Sequence, residues 1–280
     1  MEQAQINKII NFSNVDGPGN RMAIFFQTCP FSCLYCHNPE TINACISCGK
    51  CISTCPVKAL SFNENKKVIW NKGICVNCDT CIHVCTHSAS PKITIMTVEE
   101  LVYKIKQVSP FIRGITVSGG ECTNYYLFLK ELFIEVKKLG LTCLIDSNGA
   151  NDLTELEDLI DISDGVMLDV KAIDPKFHTY LTGKTNDIVL KNLNFLLEKN
   201  KLEEVRTVIL PKYDEENIKT VSAVSKIIKS KVRYKLLKYR YFGVNEKGIN
   251  TFGRVIVDDA KLNELKEIAH LNGCDSAVII

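Results

Sequence analysis

Three cysteines that lie close together in the sequence carry its strongest chemical signal. Cys29, Cys33 and Cys36 have the spacing C-x3-C-x2-C and follow an apolar run at residues 22–27. Three thiols cannot all pair as disulfides, but three thiolates can bind one face of an iron–sulfur cluster. Because a [4Fe–4S] cluster takes four cysteine ligands, this loop would leave one iron open to a small molecule, as catalytic metal sites do. The alternative is a structural zinc loop, which normally has paired C-x2-C halves.

Eight further cysteines form two copies of one spacing. The pattern C-x2-C-x2-C-x3-C occupies residues 45–55 and is repeated at residues 75–85, although Thr86 stands where Pro56 follows the first copy. In bacterial two-cluster ferredoxins with this spacing, the fourth cysteine of each run binds the other cluster. Two zinc knuckles are the alternative. We predict two crossed [4Fe–4S] ligand sets, which are Cys45, Cys48, Cys51 with Cys85, and Cys75, Cys78, Cys81 with Cys55.

The cysteine-rich repeat also predicts the domain organisation. We expect an inserted ferredoxin-like module at residues 41–91 and a main domain formed by residues 1–40 and 92–280. The module is short and has few aliphatic residues, so its clusters would have to hold it together. Residues 41–92 contain six lysines and two acidic residues. This positive balance could dock an acidic electron donor, or it could simply be a solvated surface.

The composition of the 280 residues is that of a globular protein, with 46% hydrophobic and 24% charged residues and a net charge of +2. Such a charge implies no strong field for nucleic acid or membranes. No apolar stretch approaches the ~20 residues that span a bilayer, and the start lacks a secretory pattern. The 14 cysteines therefore argue for metal rather than disulfides. We expect a cytoplasmic protein that binds neither nucleic acid nor membranes.

Strands and helices alternate after the module, which predicts an α/β fold with a parallel sheet. Thr97 and Glu100 have the spacing of a capping box that begins a helix. Periodicity alone does not separate a partial barrel from an open, doubly wound sheet. The predicted strands are 6–12, 22–27, 114–118, 141–146, 165–170, 204–210, 234–239 and 277–280, and the predicted helices are 98–108, 125–139, 153–160, 188–199, 217–229 and 261–271.

Polar residues follow three of these strands, at the ends where barrel enzymes place their functional groups. Gly119 and Gly120 would let the backbone approach a ligand closely, and Glu121 could hold an ammonium group. Asp146 and Asp169 end the next two strands, although carboxylates at such positions can also be helix caps.

Together these motifs resemble those of the radical S-adenosylmethionine (radical SAM) enzymes, whose cysteine signature has an aromatic residue, here Tyr35, before its last cysteine. Within that superfamily the chain is similar to glycyl-radical-enzyme activating enzymes. The likeness rests on Asp16-Gly17-Pro18-Gly19, Cys36-His37-Asn38 and Ser118-Gly119-Gly120-Glu121. The two cysteine runs match the ferredoxin-insert subgroup, and residues 12–40 and 166–169 resemble YjjW-type activases.

The resemblance implies a partial (β/α)6 TIM-like barrel with an inserted bacterial-type two-[4Fe–4S] ferredoxin-like module. The implied activity is reductive cleavage of SAM to a 5′-deoxyadenosyl radical, which takes a hydrogen from a glycine of a partner glycyl radical enzyme. The implied cofactors are SAM and three [4Fe–4S] clusters, one of them held by Cys29, Cys33 and Cys36. A flavodoxin or ferredoxin would donate electrons, and we expect a monomer.

Individual roles also follow from the resemblance. Glu121 and its two glycines would bind the amino group of SAM, Lys171 would pair with the carboxylate, and the loop 16–19 would lie over the site. Arg240 stands where related activases have a histidine near the ribose. The implied SAM contacts are Tyr35, His37, Gly119, Gly120, Glu121, Asp169, Val170, Lys171, Arg206 and Arg240, and a monovalent-cation site is implied at Asp146, Ser147, Asp169 and the backbone of Met167.

Two other functions stay open at this point. One is a radical SAM enzyme that acts on a small molecule or peptide, against which the loop 16–19 and the position of the module argue. The other is a non-catalytic, ferredoxin-like electron carrier. The open cluster and the sequence Gly119-Gly120-Glu121 argue against that function.

Overall fold

A computed structural model describes residues 2–280, which form a nine-stranded sheet, a separate two-stranded hairpin and the helices around them. The strands are β1 (Gln3–Ser13), β2 (Arg21–Phe26), β3 (Leu60–Phe62), β4 (Val68–Trp70), β5 (Thr94–Thr97), β6 (Gly114–Gly119), β7 (Thr142–Ser147), β8 (Gly165–Asp169), β9 (Leu202–Ile209), β10 (Arg233–Lys238) and β11 (Ala277–Ile279). The α-helices are α1 (Thr80–His83), α2 (Val98–Val108), α3 (Tyr126–Lys137), α4 (Glu157–Ile162), α5 (Pro175–Thr182), α6 (Asp187–Glu198), α7 (Asp214–Ile228), α8 (Glu246–Phe252) and α9 (Asp259–Leu271). Within residues 2–280, no helix combines the length and the apolar character that crossing a bilayer requires.

The order of the strands decides between the two architectures that periodicity left open. The large sheet runs β11-β10-β9-β8-β7-β6-β2-β1-β5. Each pair from β2 to β11 is parallel, and β1 is antiparallel to both β2 and β5. A doubly wound sheet reverses its strand order at a switch point, whereas here the parallel strands follow one another in chain order. The fold is therefore a partial, barrel-like parallel sheet whose carboxyl ends meet at one rim.

The two faces of this sheet have different chemistry. Val166 and Leu168 on β8 belong to the main hydrophobic core. Side chains alternate along a strand, so Asp169 of the same strand faces the other side, where it lines a cavity together with Asp146 and Arg206. The sheet thus separates an apolar core from a charged interior.

Local signals set several element boundaries. The capping box is confirmed, because the backbone N–H of Glu100 donates to Thr97 Oγ1 at 3.3 Å and Glu100 Oε2 accepts from the backbone N–H of Thr97 at 2.9 Å. Short 3₁₀ turns precede α3 and α4. Helices α5 and α8 and the hairpin β3–β4 were not predicted. Helix α5 does carry a start signal, since Asp174 caps it and Pro175 is its first residue.

The segment that contains the two cysteine runs leaves the main domain at Asn43 and returns at Ala89, where these two residues form an isolated β-bridge. Its own buried cluster consists of Cys51, Leu60 and Cys81. A core this small cannot offset the conformational entropy of the segment by burial alone.

The loop between β1 and β2 lies inside the barrel rather than over its mouth, which corrects the expectation for residues 16–19. Ser13 pairs with Arg21 at the amino end of β2. The backbone carbonyl of Asp16 accepts from Thr116 Oγ1 at 2.5 Å, and the Asp16 side chain lines the cavity from below. The loop therefore forms the floor of the site.

Arg21 fixes this floor. Its guanidinium is 1% exposed, and it donates from Nε to Thr116 Oγ1 at 2.8 Å and from Nη1 to Thr142 Oγ1 at 3.0 Å. Further bonds reach the carbonyl oxygens of Ile115, Thr142 and Pro18. One side chain thus ties the loop to β6 and β7.

We predict that Arg21→Met lowers the free energy of unfolding by about 2–4 kcal/mol, because several buried acceptors lose their donor. Urea denaturation of the variant and the wild type measures the change. Arg254→Met serves as the control, since Arg254 is exposed and should shift stability by less than about 0.5 kcal/mol. Equal stabilities for the two variants would contradict this role.

Candidate active site

A cavity of about 310 Å³ opens at the carboxyl ends of the parallel strands. Residues from β2, β6, β7, β8, β9 and β10 contribute to its wall, and the loop after β2 closes one side. Its size is at the lower end of the range for small-molecule sites. Of the ten predicted SAM contacts, those that line it are Tyr35, His37, Gly119, Gly120, Asp169, Lys171 and Arg206.

The first cysteine motif contributes to the wall of this cavity. Cys29, Cys33 and Cys36 all line it, and none of them forms a disulfide. The loop is held by backbone bonds to its neighbours, from Cys29 N–H to Ile42 O at 2.9 Å and from Leu34 N–H to Leu181 O at 2.9 Å. The end of α5 therefore supports the cysteine loop.

Burial raises the pKa of Cys29 and of Cys36 to about 12. Both thiols are thus protonated at neutral pH in the metal-free chain. Since thiolates are the metal ligands, iron must displace these protons when it binds. The ligands of a single metal ion converge on one point. Within residues 2–280, no three His, Cys, Asp or Glu side chains converge in this way. A four-iron cluster holds one thiolate at each corner, so its ligands stand farther apart.

Two glycines let the end of β6 approach the cysteine loop. A Cβ atom on Gly119 would lie 2.3 Å from the backbone nitrogen of Phe26, and one on Gly120 would lie 2.2 Å from the carbonyl oxygen of Thr28. Gly119 also has a φ of +118°, which other residues rarely adopt. The glycines thus bring bare backbone to the wall beside the thiols.

Glu121 is not among the residues that line the cavity, and its carboxylate is engaged inside the protein. The residue is 1% exposed. Its Oε1 accepts from the backbone and hydroxyl of Thr123 at 3.2 and 2.7 Å and from Ser147 Oγ at 3.0 Å, and its Oε2 accepts from the Asn148 N–H at 2.8 Å. Burial raises the pKa of this carboxyl, whereas the four donors favour its ionised form. Glu121 is therefore a positioning residue.

Lys171 and Asp169 form an ion pair on the wall, with 2.9 Å between Nζ and Oδ2. Burial alone would lower the pKa of Lys171, but the attraction of Asp169 raises it well above the ordinary value. The ammonium therefore stays charged and can bind a carboxylate of a ligand. Its Nζ lies 5.8 Å from the centre of the Tyr35 ring.

The hydroxyl of Tyr35 points to a ligand at this position. Tyr35 lines the cavity and is 4% exposed, and its hydroxyl has no hydrogen-bond partner among residues 2–280. A buried hydroxyl without a partner is costly, so a polar group of a bound molecule would stabilise it. Burial also raises its pKa, which keeps the hydroxyl protonated.

Two other predicted contacts lie away from the cavity. Val170 is fully buried, its N–H donates to Arg206 O at 2.9 Å, and its carbonyl oxygen accepts from Thr207 at 2.8 Å. The side chain of Arg240 is exposed and does not line the cavity, although the Arg240 carbonyl oxygen accepts from His37 Nε2 at 2.8 Å. Arg240 therefore fixes His37 through its backbone.

The other eight cysteines gather in two places within the segment. One hollow is lined by Cys55, Cys75, Cys78 and Cys81. The other is lined by Cys45, Cys48, Cys51 and Cys85, and Cys81 lines it as well. Each hollow therefore combines three cysteines of one run with the fourth cysteine of the other run.

A family model described as the radical SAM superfamily matches residues 23–224. The chain belongs to the radical SAM superfamily. It is 30% identical over 272 residues to a Haemophilus influenzae protein that is provisionally named as a glycyl-radical enzyme activating enzyme, a match that covers 88% of this chain and 86% of that one. It is 33% identical to the indoleacetate decarboxylase activating enzyme of Tractidigestivibacter scatoligenes, with 79% of this chain and 78% of that one covered.

The fold agrees with that of a solved structure, QueE from Escherichia coli. The TM-score is 0.53 and the sequence identity is 13%, and the match covers 99% of this chain and 94% of that one. At this identity the comparison shows the shared fold alone.

One residue of this radical SAM site was missed by sequence reasoning. Asn148 Nδ2 donates to Cys29 Sγ at 3.2 Å and to Gly120 O at 3.3 Å, while the Asn148 backbone N–H binds Glu121. Asn148 thus links Cys29 to the glycine motif. The sequence Asp146-Ser147-Asn148-Gly149 places it after β7, but no spacing in the sequence connects it with Cys29.

We predict that Asn148→Ala lowers the midpoint potential of the [4Fe–4S] cluster at Cys29, Cys33 and Cys36, because hydrogen bonds to the sulfur ligands stabilise the reduced cluster. The ratio of reduced to oxidised cluster at a fixed potential should fall roughly tenfold, or about 59 mV for one electron. An EPR-monitored redox titration of the signal that changes when SAM is added measures this.

Asn151→Ala is the matched control, because Asn151 lies in the same loop and donates to Thr123 Oγ1 at 2.9 Å. Its midpoint potential should equal that of the wild type. An unchanged potential in Asn148→Ala would refute the proposed effect on the cluster.

Proposed function

We propose that this chain cleaves SAM reductively to a 5′-deoxyadenosyl radical and uses it to take a hydrogen from a glycine of a partner glycyl radical enzyme, thereby activating that enzyme. The observation that carries the proposal is the meeting of three thiols, a two-glycine backbone and the Lys171–Asp169 pair in one cavity. Relatives at 30% and 33% identity are named as activating enzymes, which supports the same function.

The chain's own residues would bind and orient the substrate. Lys171 provides a fixed positive charge for the SAM carboxylate, and Asp169 beside it can accept from the SAM ammonium group. A [4Fe–4S] cluster on Cys29, Cys33 and Cys36 would supply one electron to the sulfonium and an open iron to SAM. The hydroxyl of Tyr35 can donate to a polar group of the same molecule.

The floor and walls of the cavity would protect the radical. The loop that contains Asp16 closes the barrel from below, and Phe25, Val208 and Leu237 are apolar parts of the wall. A radical formed there meets few water molecules, which limits side reactions. The rim at the carboxyl ends is left as the route by which the glycine of a partner protein enters.

We further propose that residues 41–91 are a ferredoxin-like module with two [4Fe–4S] clusters, as in the ferredoxin-insert, YjjW-type activases. The two hollows support this proposal, since each is lined by the four cysteines of one crossed ligand set. The very small apolar core of the segment supports it too, because bound metal can stabilise such a module. Electrons would enter this module from a flavodoxin or ferredoxin.

The proposed function is tested anaerobically with reduced, reconstituted protein, SAM and a candidate glycyl radical enzyme from the same organism. If that enzyme carries glycine deuterated at Cα, we expect one deuterium in the 5′-deoxyadenosine and a glycyl radical EPR signal. Cys33→Ala should abolish both products. Cys274→Ala is the control, because that buried thiol lies outside all three ligand sets.

Each outcome assigns one function. Deoxyadenosine without deuterium transfer or a glycyl radical would favour an enzyme that acts on a small molecule or peptide. No SAM cleavage under strong reductant would favour an electron carrier.

We predict for the module that reconstituted wild-type protein holds about twelve irons, four for each cluster. If the ligand sets are crossed, the double variant Cys55→Ala/Cys78→Ala should lose one cluster, because both residues serve the same one. Cys55→Ala/Cys48→Ala should lose two. Iron and sulfide analysis distinguishes the two variants, and the reverse order of losses, or zinc in place of iron, would contradict the crossed arrangement.

A further inference from the structure

Three of the four groups implied for a monovalent cation, the side chains of Asp146, Ser147 and Asp169, are engaged by other parts of the chain. Asp146 Oδ1 accepts from Arg206 Nη1 at 2.9 Å, and Asp146 Oδ2 accepts from Ser118 Oγ at 2.9 Å. The hydroxyl of Ser147 donates to Glu121 Oε1 at 3.0 Å, and Ser147 is 2% exposed. These two residues therefore direct their oxygens to protein partners rather than to a shared point.

The guanidinium of Arg206 also contacts the side chains of Met167 and Glu204. Its Nη2 is 2.9 Å from the Met167 sulfur, and its Nε donates to Glu204 Oε1 at 2.6 Å. The strand register explains this position, since Arg206 on β9 lies opposite Asp169 on β8. Both its side chain and that of Asp146 are largely buried, at 13% and 15% exposure.

Three carboxylates of the barrel interior are paired with cations of the chain. Asp16, another carboxylate that lines the cavity, accepts from Ser13 Oγ instead. Asp146 is paired with Arg206 at 2.9 Å, Asp169 is paired with Lys171 at 2.9 Å, and Glu204 is paired with Lys235 at 2.9 Å as well as with Arg206. Buried charges need such partners, and a further cation beside Asp146 would compete with Arg206 for that carboxylate.

Arginine is suited to this position. Its guanidinium is charged at every physiological pH and presents donors in several directions, so one side chain can reach Asp146, Glu204 and the sulfur of Met167 together. Attraction to Asp146 and Glu204 raises its pKa, although burial alone would lower it. The positive charge is therefore permanent and fixed by covalent attachment.

We propose that the guanidinium of Arg206 takes the place of a monovalent cation beside Asp146, so that SAM binding by this chain does not depend on K⁺ or Na⁺. This inference rests on the proposed function, because it concerns the site where SAM would bind. The cation site implied by the resemblance does not fit these residues.

The test is the dissociation constant for SAM, measured anaerobically by calorimetry on the reconstituted holoenzyme in choline, sodium and potassium chloride of equal ionic strength. For the wild type we expect the three values to agree within about twofold. Arg206→Gln removes the charge and opens space beside Asp146. It should bind SAM about tenfold more weakly in choline chloride and recover most of that loss in potassium or sodium chloride.

Arg233→Gln is the matched control, because it removes one positive charge from an exposed position on β10. It should behave as the wild type in all three salts. The recovery by K⁺ or Na⁺ separates a cation substitute from a residue that merely touches SAM, since a lost direct contact would not be restored by salt.

Tighter SAM binding by the wild type in K⁺ or Na⁺, by about fivefold or more over choline, would overturn the inference and leave the proposed function intact. If neither K⁺ nor Na⁺ restores SAM binding by Arg206→Gln, the inference is also overturned. No SAM binding in any salt would overturn the proposed function and this inference with it. Circular dichroism checks that the variant is folded, and if it is not, the wild-type comparison decides alone.

Discussion

The close approach of two main chains governs the geometry of this site. At the end of β6, Gly120 N–H donates to Phe26 O at 3.0 Å, and Glu121 N–H donates to Thr28 O at 2.8 Å. Only glycine fits at positions 119 and 120, because a Cβ would collide with the backbone beside it. This contact places the cysteine loop against the strand ends, where the ion pair of Lys171 also lies. The thiols and the groups that would orient SAM are brought together by backbone packing.

Glu121 and Asn148 extend that contact to the next strand. The carboxylate of Glu121 is fully used by donors from Thr123, Ser147 and Asn148, and Asn148 returns to Cys29 through its side-chain amide. A buried carboxylate with four donors rigidifies its surroundings. The position of Cys29 is thus coupled to β6 and β7 by these hydrogen bonds.

Sequence reasoning was successful where a local pattern determines the structure. The parallel strands and the capping box of α2 follow from periodicity and spacing, and the structure confirms them. The three cysteines that spacing singled out line one cavity. It could not choose between a barrel and a doubly wound sheet, since strand order depends on contacts between distant segments. It placed the loop 16–19 on the wrong side of the site for the same reason, because the bonds of Arg21 to β6 and β7 join residues that lie far apart in the sequence.

In the candidate site, too, local motifs were informative, whereas contacts between distant segments could not be predicted. Lys171 and Gly119 line the cavity, but the orientation of Glu121 and Arg240 depends on neighbours that no motif specifies.

The most direct test of a three-thiolate cluster is selective labelling of its open iron. Mild oxidation, re-addition of ⁵⁷Fe and Mössbauer spectroscopy should reveal one labelled iron per chain whose isomer shift changes when SAM is added. A label that does not enter, or a spectrum that SAM leaves unchanged, would show that the cluster has no open iron.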